Sequence, residues 1–144
     1  MDLTTLLPSL VPFINTVGLS IDEISPGHAI ATLPSRPEVH NHMGTCHAGA
    51  VYTLGESASG GVVLSLFADL LPEAFIALKT ASVHHTKAAP GDVVATANLV
   101  GDARQTRAAY DATGKADFDV DVSLAVGDLE VARVVYTWAV RAPR

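Results

Sequence analysis

A short segment of this sequence, residues 40–47, holds three of its six histidines and its only cysteine. Imidazole side chains transfer protons near neutral pH and bind metals, and the spacing of His40, His42 and His47 is chemically suitable for zinc. A fourth ligand in a clear pattern is missing, so we expect no metal site here. We also expect no cysteine nucleophile, because Cys46 and His47 are neighbours in sequence and do not face each other on a helix.

The residues that follow predict the start of a long helix. From Cys46 to about Ala68 there is no proline, many residues are small, and the apolar pattern is too long for a strand, with Thr45 as the expected N-cap. Free backbone N–H groups and the positive end of the helix dipole stabilise a carbonyl oxygen that gains negative charge. Ala48 and Gly49 are small enough to let a substrate approach these amides.

Glu56 is the acidic residue of this helix with the best prospects for catalysis. Burial among apolar and small neighbours would raise its pKa toward the range useful for acid–base chemistry. It follows His47 by nine residues, which is about 13 Å along a helix, so it cannot readily serve the N-terminus of its own helix. An antiparallel helix from a second subunit could bring its glutamate there.

The rest of the chain predicts an α+β protein in which strands surround this helix. Residues 3–17 predict one or two short helices, and strands are expected over 19–24 and 28–33. After Pro72 the segments are all predicted as strands that end in turn residues, over 73–88, 93–100, 104–112, 115–126 and 129–140. Four glycines within the helix indicate that it packs closely against a sheet or against its own copy. Strands of this length could curl around a single helix.

The composition restricts the domain count and the partners. A chain of 144 residues fits one domain, 1–144, and its net charge of −6 at pH 7 argues against nucleic acid or an anionic membrane as the main partner. Hydrophobic residues make up 49% of the chain, which indicates apolar surface covered by another subunit. No uncharged run is a convincing membrane span of roughly 20 apolar residues. The lone cysteine and the lack of a signal-like N-terminus favour a cytoplasmic location.

The motif Asn-His-Met-Gly-Thr-Cys-His-Ala-Gly-Ala at 41–50 resembles that of the hotdog-fold thioesterases of the phenylacetate-pathway (PaaI-like) type. Their pattern is an asparagine, a glycine three residues on, a His-Gly-Gly three beyond that, and an acid nine residues after the histidine. These places are occupied by Asn41, Gly44, His47, Gly49 and Glu56. The family usually has glycine where Ala48 stands and often aspartate where Glu56 stands. The resemblance implies one hotdog domain, with a long central helix wrapped by a curved antiparallel sheet of five to six strands.

The resemblance further implies an acyl-CoA thioesterase, a hydrolase of small or medium acyl-CoA, that works as a homodimer or homotetramer with sites shared between subunits. The Ala48 amide would polarise the thioester carbonyl, Glu56 of the partner subunit would be general base or nucleophile, and Asn41 would position the water or the thioester. No cofactor is implied, since coenzyme A is part of the substrate. Substrate-binding positions would be His42, Gly44, His47, Gly49 and Ser82, with His47 chiefly fixing the loop and the helix start.

Two other functions stay open. In hotdog hydroxyacyl-thioester dehydratases a histidine precedes a helical acid by about fourteen residues, and His42 precedes Glu56 by 56 − 42 = 14, although the Pro-Gly-rich turn of that group is missing. The alanine at position 48 and the unusual acid also fit a protein that binds acyl-CoA without hydrolysing it. The CoA phosphates would need a basic path across this acidic chain, for which the candidates are Lys79, Lys87, Arg104 and Arg107.

The first strand after the helix could add side chains to the same cleft. Alternation along an extended strand turns Ser82 and His84 to one face of the sheet and His85 to the other. On this reading Ser82 is a supporting residue of the site.

Overall fold

The computed structural model describes residues 1–144, in which one long helix packs on a six-stranded antiparallel sheet. The helices are α1 (Leu3–Leu10), α2 (Pro12–Val17), α3 (Ala48–Phe67) and α4 (Ala103–Thr113). The strands are β1 (Ser20–Ser25), β2 (His28–Leu33), β3 (Phe75–His85), β4 (Val93–Leu99), β5 (Lys115–Val126) and β6 (Leu129–Arg141). Their order across the sheet is β1-β2-β4-β5-β6-β3, so β1 and β3 are its edges. None of the helices combines the length and the apolar character needed to cross a membrane.

The core lies between α3 and the inner face of the sheet. The period of two in β5 places Phe118, Val120 and Val122 inward, where each is buried, while the aspartates between them stay on the outer face. The predicted close packing of the helix on the sheet is confirmed at two glycines. A Cβ at Gly61 would lie 3.0 Å from the Cβ of Ala29, and one at Gly55 would collide with a tyrosine hydroxyl of β6.

The strand predicted over 104–112 is wrong, because this segment is the helix α4. The turn signals on either side are helix caps: the Asp102 carboxylate accepts from the Gln105 amide at 2.9 Å, and Gly114 ends the helix at φ +74°. Arg107 anchors α4 to the end of α3 by binding both carboxylate oxygens of Asp69, at 2.6 and 2.8 Å. This leaves four strands after α3 and six in the sheet.

The ends of the predicted elements shift by a few residues. Helix α3 begins at Ala48 with His47 as its N-cap, so the expected start at Cys46 and the expected cap Thr45 are wrong. Cys46 is held in extended backbone instead, since its amide donates to the Ala89 carbonyl at 3.1 Å. Two short helices precede β1 as expected, although Pro8 lies inside α1 rather than ending it.

A bulge in the edge strand β3 decides which of its side chains face α3. The pairing with β6 shifts register between Leu78 and Thr80, so that Lys79 is an extra residue. Beyond the bulge the odd-numbered side chains face inward, because they stand opposite inward-facing, buried residues of β6, namely Tyr136, Val134 and Ala132. Every residue from Lys79 to His85 is exposed, because α3 packs on the other five strands and leaves this edge of the sheet largely uncovered.

Candidate active site

A cavity of about 310 Å³ opens at the N-terminus of α3. Its walls are the loop before the helix, which contributes Asn41, the first turn of α3, which contributes Ala48 and Val51, and the segment after β3. Most of the lining residues are apolar. A pocket of this kind, apolar with a few polar groups converging on it, is typical of small-molecule sites.

The backbone amide of Ala48 is the free hydrogen-bond donor of this helix start. The Gly49 amide donates to Nδ1 of His47 at 2.8 Å, and the amides of Ala50 and Val51 donate to the His47 carbonyl, both at 3.0 Å. The Ala48 amide has no partner in the chain, and Ala48 lines the cavity. A carbonyl oxygen placed in the cavity would therefore meet an unpaired N–H at the positive end of the helix dipole.

His47 acts as the cap of α3 rather than as a lining residue of this cavity. Its Nδ1 accepts a hydrogen bond and so carries no proton in this arrangement. Its side chain lies with Gly49 along a second cavity of about 390 Å³, on the side of the helix start that faces α2. The structure thus separates the predicted site residues, with Asn41 and Ala48 in one cavity and His47 and Gly49 in the other.

The His47→Ala variant is expected to be less stable than the wild type by about 1 kcal/mol, because a helix start loses its side-chain acceptor. His47→Asn keeps an acceptor at this position and should recover most of the loss. The measurement is the free energy of unfolding in urea. The control is His42→Ala, an exposed loop position at which the change should stay within about 0.5 kcal/mol. Equal stabilities of the alanine variants would contradict a capping role for His47.

Asn41 holds together the loop that forms one wall of the cavity. Its side-chain oxygen accepts from the backbone amides of Met43 and Thr45, at 2.9 and 3.2 Å, and its amide nitrogen donates to the Thr45 hydroxyl at 3.0 Å. Gly44 makes the turn between them at φ +73°, in the left-handed region that favours glycine. Asn41 therefore shapes the site through the loop, and its contact with water or thioester stays a prediction.

Glu56 lies eight residues after Ala48 in α3. Residues four apart lie on the same face of a helix, so the two share one face. The separation is about 12 Å along the helix axis, so one chain does not bring the two groups together. The Glu56 side chain is half-buried, and desolvation raises the pKa of its carboxyl, with no hydrogen bond or positive charge to oppose the shift. Tyr52 stands one turn earlier on this face, where burial raises the pKa of its hydroxyl and the Glu56 charge adds to the rise.

Of the other candidates for metal binding or catalysis, Cys46 lines the cavity, whereas His40, His42 and Ser82 do not. His42 is exposed in the loop, His40 pairs with the Ser35 hydroxyl at 2.7 Å, and no three His, Cys, Asp or Glu side chains cluster as a metal site would need. Burial raises the pKa of the Cys46 thiol, which disfavours the nucleophilic thiolate. Ser82 lies on the outer face of β3, turned away from α3.

The end of β3 and the segment after it also line the cavity, and of these residues only Lys87 is among the site candidates predicted from the sequence. His85, Thr86 and Lys87 line the cavity together with Ala48 of the helix start. The sequence signal was the pair of histidines and the lysine near the strand end, but the bulge determines that His85, not His84, faces α3. Among the four cationic candidates for CoA phosphates, Lys87 is the one at this cavity. Arg107 and Lys79 are held in ion pairs with aspartates, and Arg104 lies on α4.

A family model described as a domain of unknown function (DUF4442) matches residues 3–140. No curated protein sequence is significantly similar to this chain. Among solved structures, Pseudomonas aeruginosa PA5026, described as a protein of unknown function and probable thioesterase, is 26% identical with a TM-score of 0.82, covering 97% of this chain and 93% of its own.

Two further solved structures share the fold at lower identity. A thioesterase family protein from Silicibacter pomeroyi is 20% identical with a TM-score of 0.74, covering 97% of this chain and 96% of its own. A mutant of the phenylacetic acid degradation protein PaaI from Thermus thermophilus is 18% identical with a TM-score of 0.65, covering 90% of this chain and 98% of its own. Together with the helix wrapped by the sheet, these similarities identify the fold as the hotdog fold and confirm the resemblance to its thioesterases.

Proposed function

The chain belongs to the family described as a domain of unknown function (DUF4442), and on this premise we propose that it is a thioesterase hydrolysing small or medium acyl-CoA. The observation that carries the proposal is the unpaired backbone amide of Ala48, a residue that lines a largely apolar cavity at a helix N-terminus. The similarity to PA5026, whose description names a probable thioesterase, supports it.

The proposed reaction uses the Ala48 amide and the Glu56 carboxylate in successive steps. The thioester carbonyl oxygen accepts a hydrogen bond from the Ala48 amide, which stabilises the negative charge that develops when water attacks. Glu56 of the partner subunit, ionised, takes the proton of the attacking water as general base. The carbon–sulfur bond then breaks, leaving the acid and the CoA thiol.

A homodimer would bring Glu56 of one subunit to the Ala48 amide of the other. Strand β3 offers a natural contact, since eleven residues at the sheet edge leave one side without a partner strand. Long unprotected edges of this kind pair readily with another chain. A second copy added antiparallel to β3 would continue the sheet and set the two α3 helices side by side on it.

The test of the proposal is thiol release from a panel of acyl-CoA substrates, followed with a chromogenic thiol reagent. We expect turnover of at least one small or medium acyl-CoA and formation of the free acid in equal amount. Saturable binding with no product would favour the acyl-CoA-binding alternative. A rising enoyl absorbance would favour the dehydratase, to which the structure lends no support because His42 does not line the cavity.

Acidification is expected to reduce kcat at a pH above the ordinary pKa of glutamate, 4.5, because burial raises the pKa of Glu56 and a general base must be ionised. The free energy of unfolding is expected to change with pH in the opposite direction to kcat. The folded chain holds the Glu56 proton more tightly than the unfolded chain, so the free energy of unfolding should fall as pH rises from 4.5 through the raised pKa. Urea unfolding of wild type and Glu56→Gln over this pH range measures the effect. The variant should lose the part of the pH dependence that Glu56 contributes.

Lys87→Ala is expected to raise KM for acyl-CoA about two- to fivefold with little change in kcat, because an exposed cation at the cavity loses its contact with a phosphate. The acyl-pantetheine thioester, which lacks the nucleotide phosphates, should show no such change. The matched control is Lys79→Ala, whose ammonium is bound to Asp117 at 2.9 Å. An equal rise in KM for both thioesters would show that Lys87 does not bind a phosphate of CoA.

A further inference from the structure

We propose that His85 is a further catalytic residue of this cavity, which gives a proton to the sulfur of the leaving thiol as the carbon–sulfur bond breaks. The proposal rests on the proposed thioester hydrolysis and extends it to the leaving group. Three observations carry it: the place of His85 in the cavity, the direction in which the strand turns it, and the freedom of its imidazole.

The cavity holds His85 and the oxyanion-binding amide together. His85 is the last residue of β3 and lines the same cavity as Ala48, so a thioester bound there with its carbonyl oxygen on that amide would share the cavity with the imidazole. Seven of the eleven residues that line the cavity are apolar. A proton donor placed there faces the reacting atoms rather than bulk water alone.

The bulge of β3 turns His85 toward α3 and its neighbour away from it. His85 stands opposite the buried Ala132 on the inner face, whereas His84 stands opposite Arg133 on the outer face. Without the bulge, regular alternation from Leu78 would put His84 rather than His85 on the inner face. The chain thus carries two adjacent histidines of which the fold selects one.

The imidazole of His85 is free to act. The histidine side chains that make hydrogen bonds within the chain are those of His28, His40, His47 and His84. His85 is exposed and has no such partner, so neither ring nitrogen is occupied in a structural contact. Lys87 also lines the cavity, but an imidazolium is the stronger acid of the two side-chain types and transfers protons near neutral pH.

The second half of the reaction requires a proton donor for the leaving sulfur. Attack forms a bond between the water oxygen and the carbonyl carbon, and the water proton goes to Glu56. Collapse breaks the carbon–sulfur bond and leaves its electron pair on sulfur, which takes the proton from His85. The proton held by Glu56 returns through solvent to the imidazole, so the sum is thioester plus water to acid plus thiol. An alkyl thiolate, whose conjugate thiol resembles a cysteine with a pKa of about 8.5, benefits from this protonation near neutral pH.

The experiment compares two leaving groups in two variants of the full-length protein. His85→Gln and the matched His84→Gln are assayed with an acyl-CoA and with the same acyl group esterified to an aromatic thiol, which leaves without protonation. We expect His85→Gln to lower kcat about 100-fold for acyl-CoA and no more than about threefold for the aryl thioester. His84→Gln should stay within about twofold of wild type on both.

The selective loss is the readout that a structural role would not produce. An equal loss on both thioesters in His85→Gln, or no loss on either, would overturn the proposal. His85→Asn, together with thermal unfolding of all variants, separates a chemical effect from misfolding. If the wild type hydrolyses neither thioester, the proposed function fails and His85 falls with it. If the wild type is active and the selectivity is absent, only the role of His85 is lost.

Discussion

Ala48→Pro is expected to lower kcat for acyl-CoA by about 100- to 1000-fold while the chain still folds, because it deletes one oxyanion donor and little else. The Ala48 amide has no partner within the chain, so its removal breaks no structural hydrogen bond. Proline is favoured at the first position of a helix, and His47 already has φ −63° and ψ 138°, which the residue before a proline tolerates. Steady-state kinetics with the best acyl-CoA of the panel measures the effect.

The control for this variant is Ala48→Gly, which keeps the N–H and restores the residue usual in PaaI-like thioesterases. Its kcat should remain close to that of the wild type. Circular dichroism and urea unfolding of the proline variant should show that α3 is retained. An Ala48→Pro protein that folds and turns over acyl-CoA at the wild-type rate would show that this amide does not bind the oxyanion.

Glu56→Gln is expected to lower kcat by about 100- to 10,000-fold, since the amide has the shape of the carboxyl but cannot accept the proton of water. The variant should nevertheless be at least as stable as the wild type at neutral pH. Burial disfavours the ionised carboxyl, as the raised pKa of Glu56 shows, and the neutral amide avoids this cost. Loss of activity together with retained or increased stability would identify a functional rather than a structural side chain. Undiminished kcat would exclude Glu56 as the base.

Mixing the two inactive variants tests whether the site is shared. In a dimer of one Ala48→Pro subunit and one Glu56→Gln subunit, one site has both wild-type groups and the other has neither. Random exchange of subunits should therefore restore about a quarter of wild-type activity, because half of the dimers are mixed and each has one intact site of two. Each variant exchanged with itself serves as the control. No recovery, with exchange verified by mass, would place both groups in one subunit or in no common site.

Local sequence patterns were enough to predict features that depend on one helix or strand alone. The alternation in 115–126 predicts the inward side of β5, because the period of a strand is a property of its own backbone. The small, proline-free stretch after the histidine cluster predicts a long helix, and the glycines predict its close approach to the sheet. A cavity opens at the start of that helix, where the sequence predicts the site, and binding of a substrate there stays a prediction.

The same local signals were ambiguous where caps and turns use the same residues. Gly101-Asp102 and Thr113-Gly114 are typical of turns between strands, yet they flank α4 as its caps, because aspartate and glycine serve both purposes. The choice between them comes from contacts distant in sequence. Arg107 binds Asp69 at the end of α3 and lies over the Phe67 ring, 5.7 Å from its centre, which favours the helix in this place.

What the sequence alone determined is an α+β chain with one long glycine-rich helix, and chemistry concentrated where that helix begins. What only the tertiary structure decided is which groups meet there. The N-cap is His47 rather than Thr45, because the amide of His47 donates at 2.8 Å to Val39 and keeps the chain extended up to that point. His85 rather than Ser82 lines the cavity, because the bulge in β3 exchanges the sheet faces to which the following side chains point. Both choices depend on pairing between segments far apart in the chain, which no local pattern of side chains records.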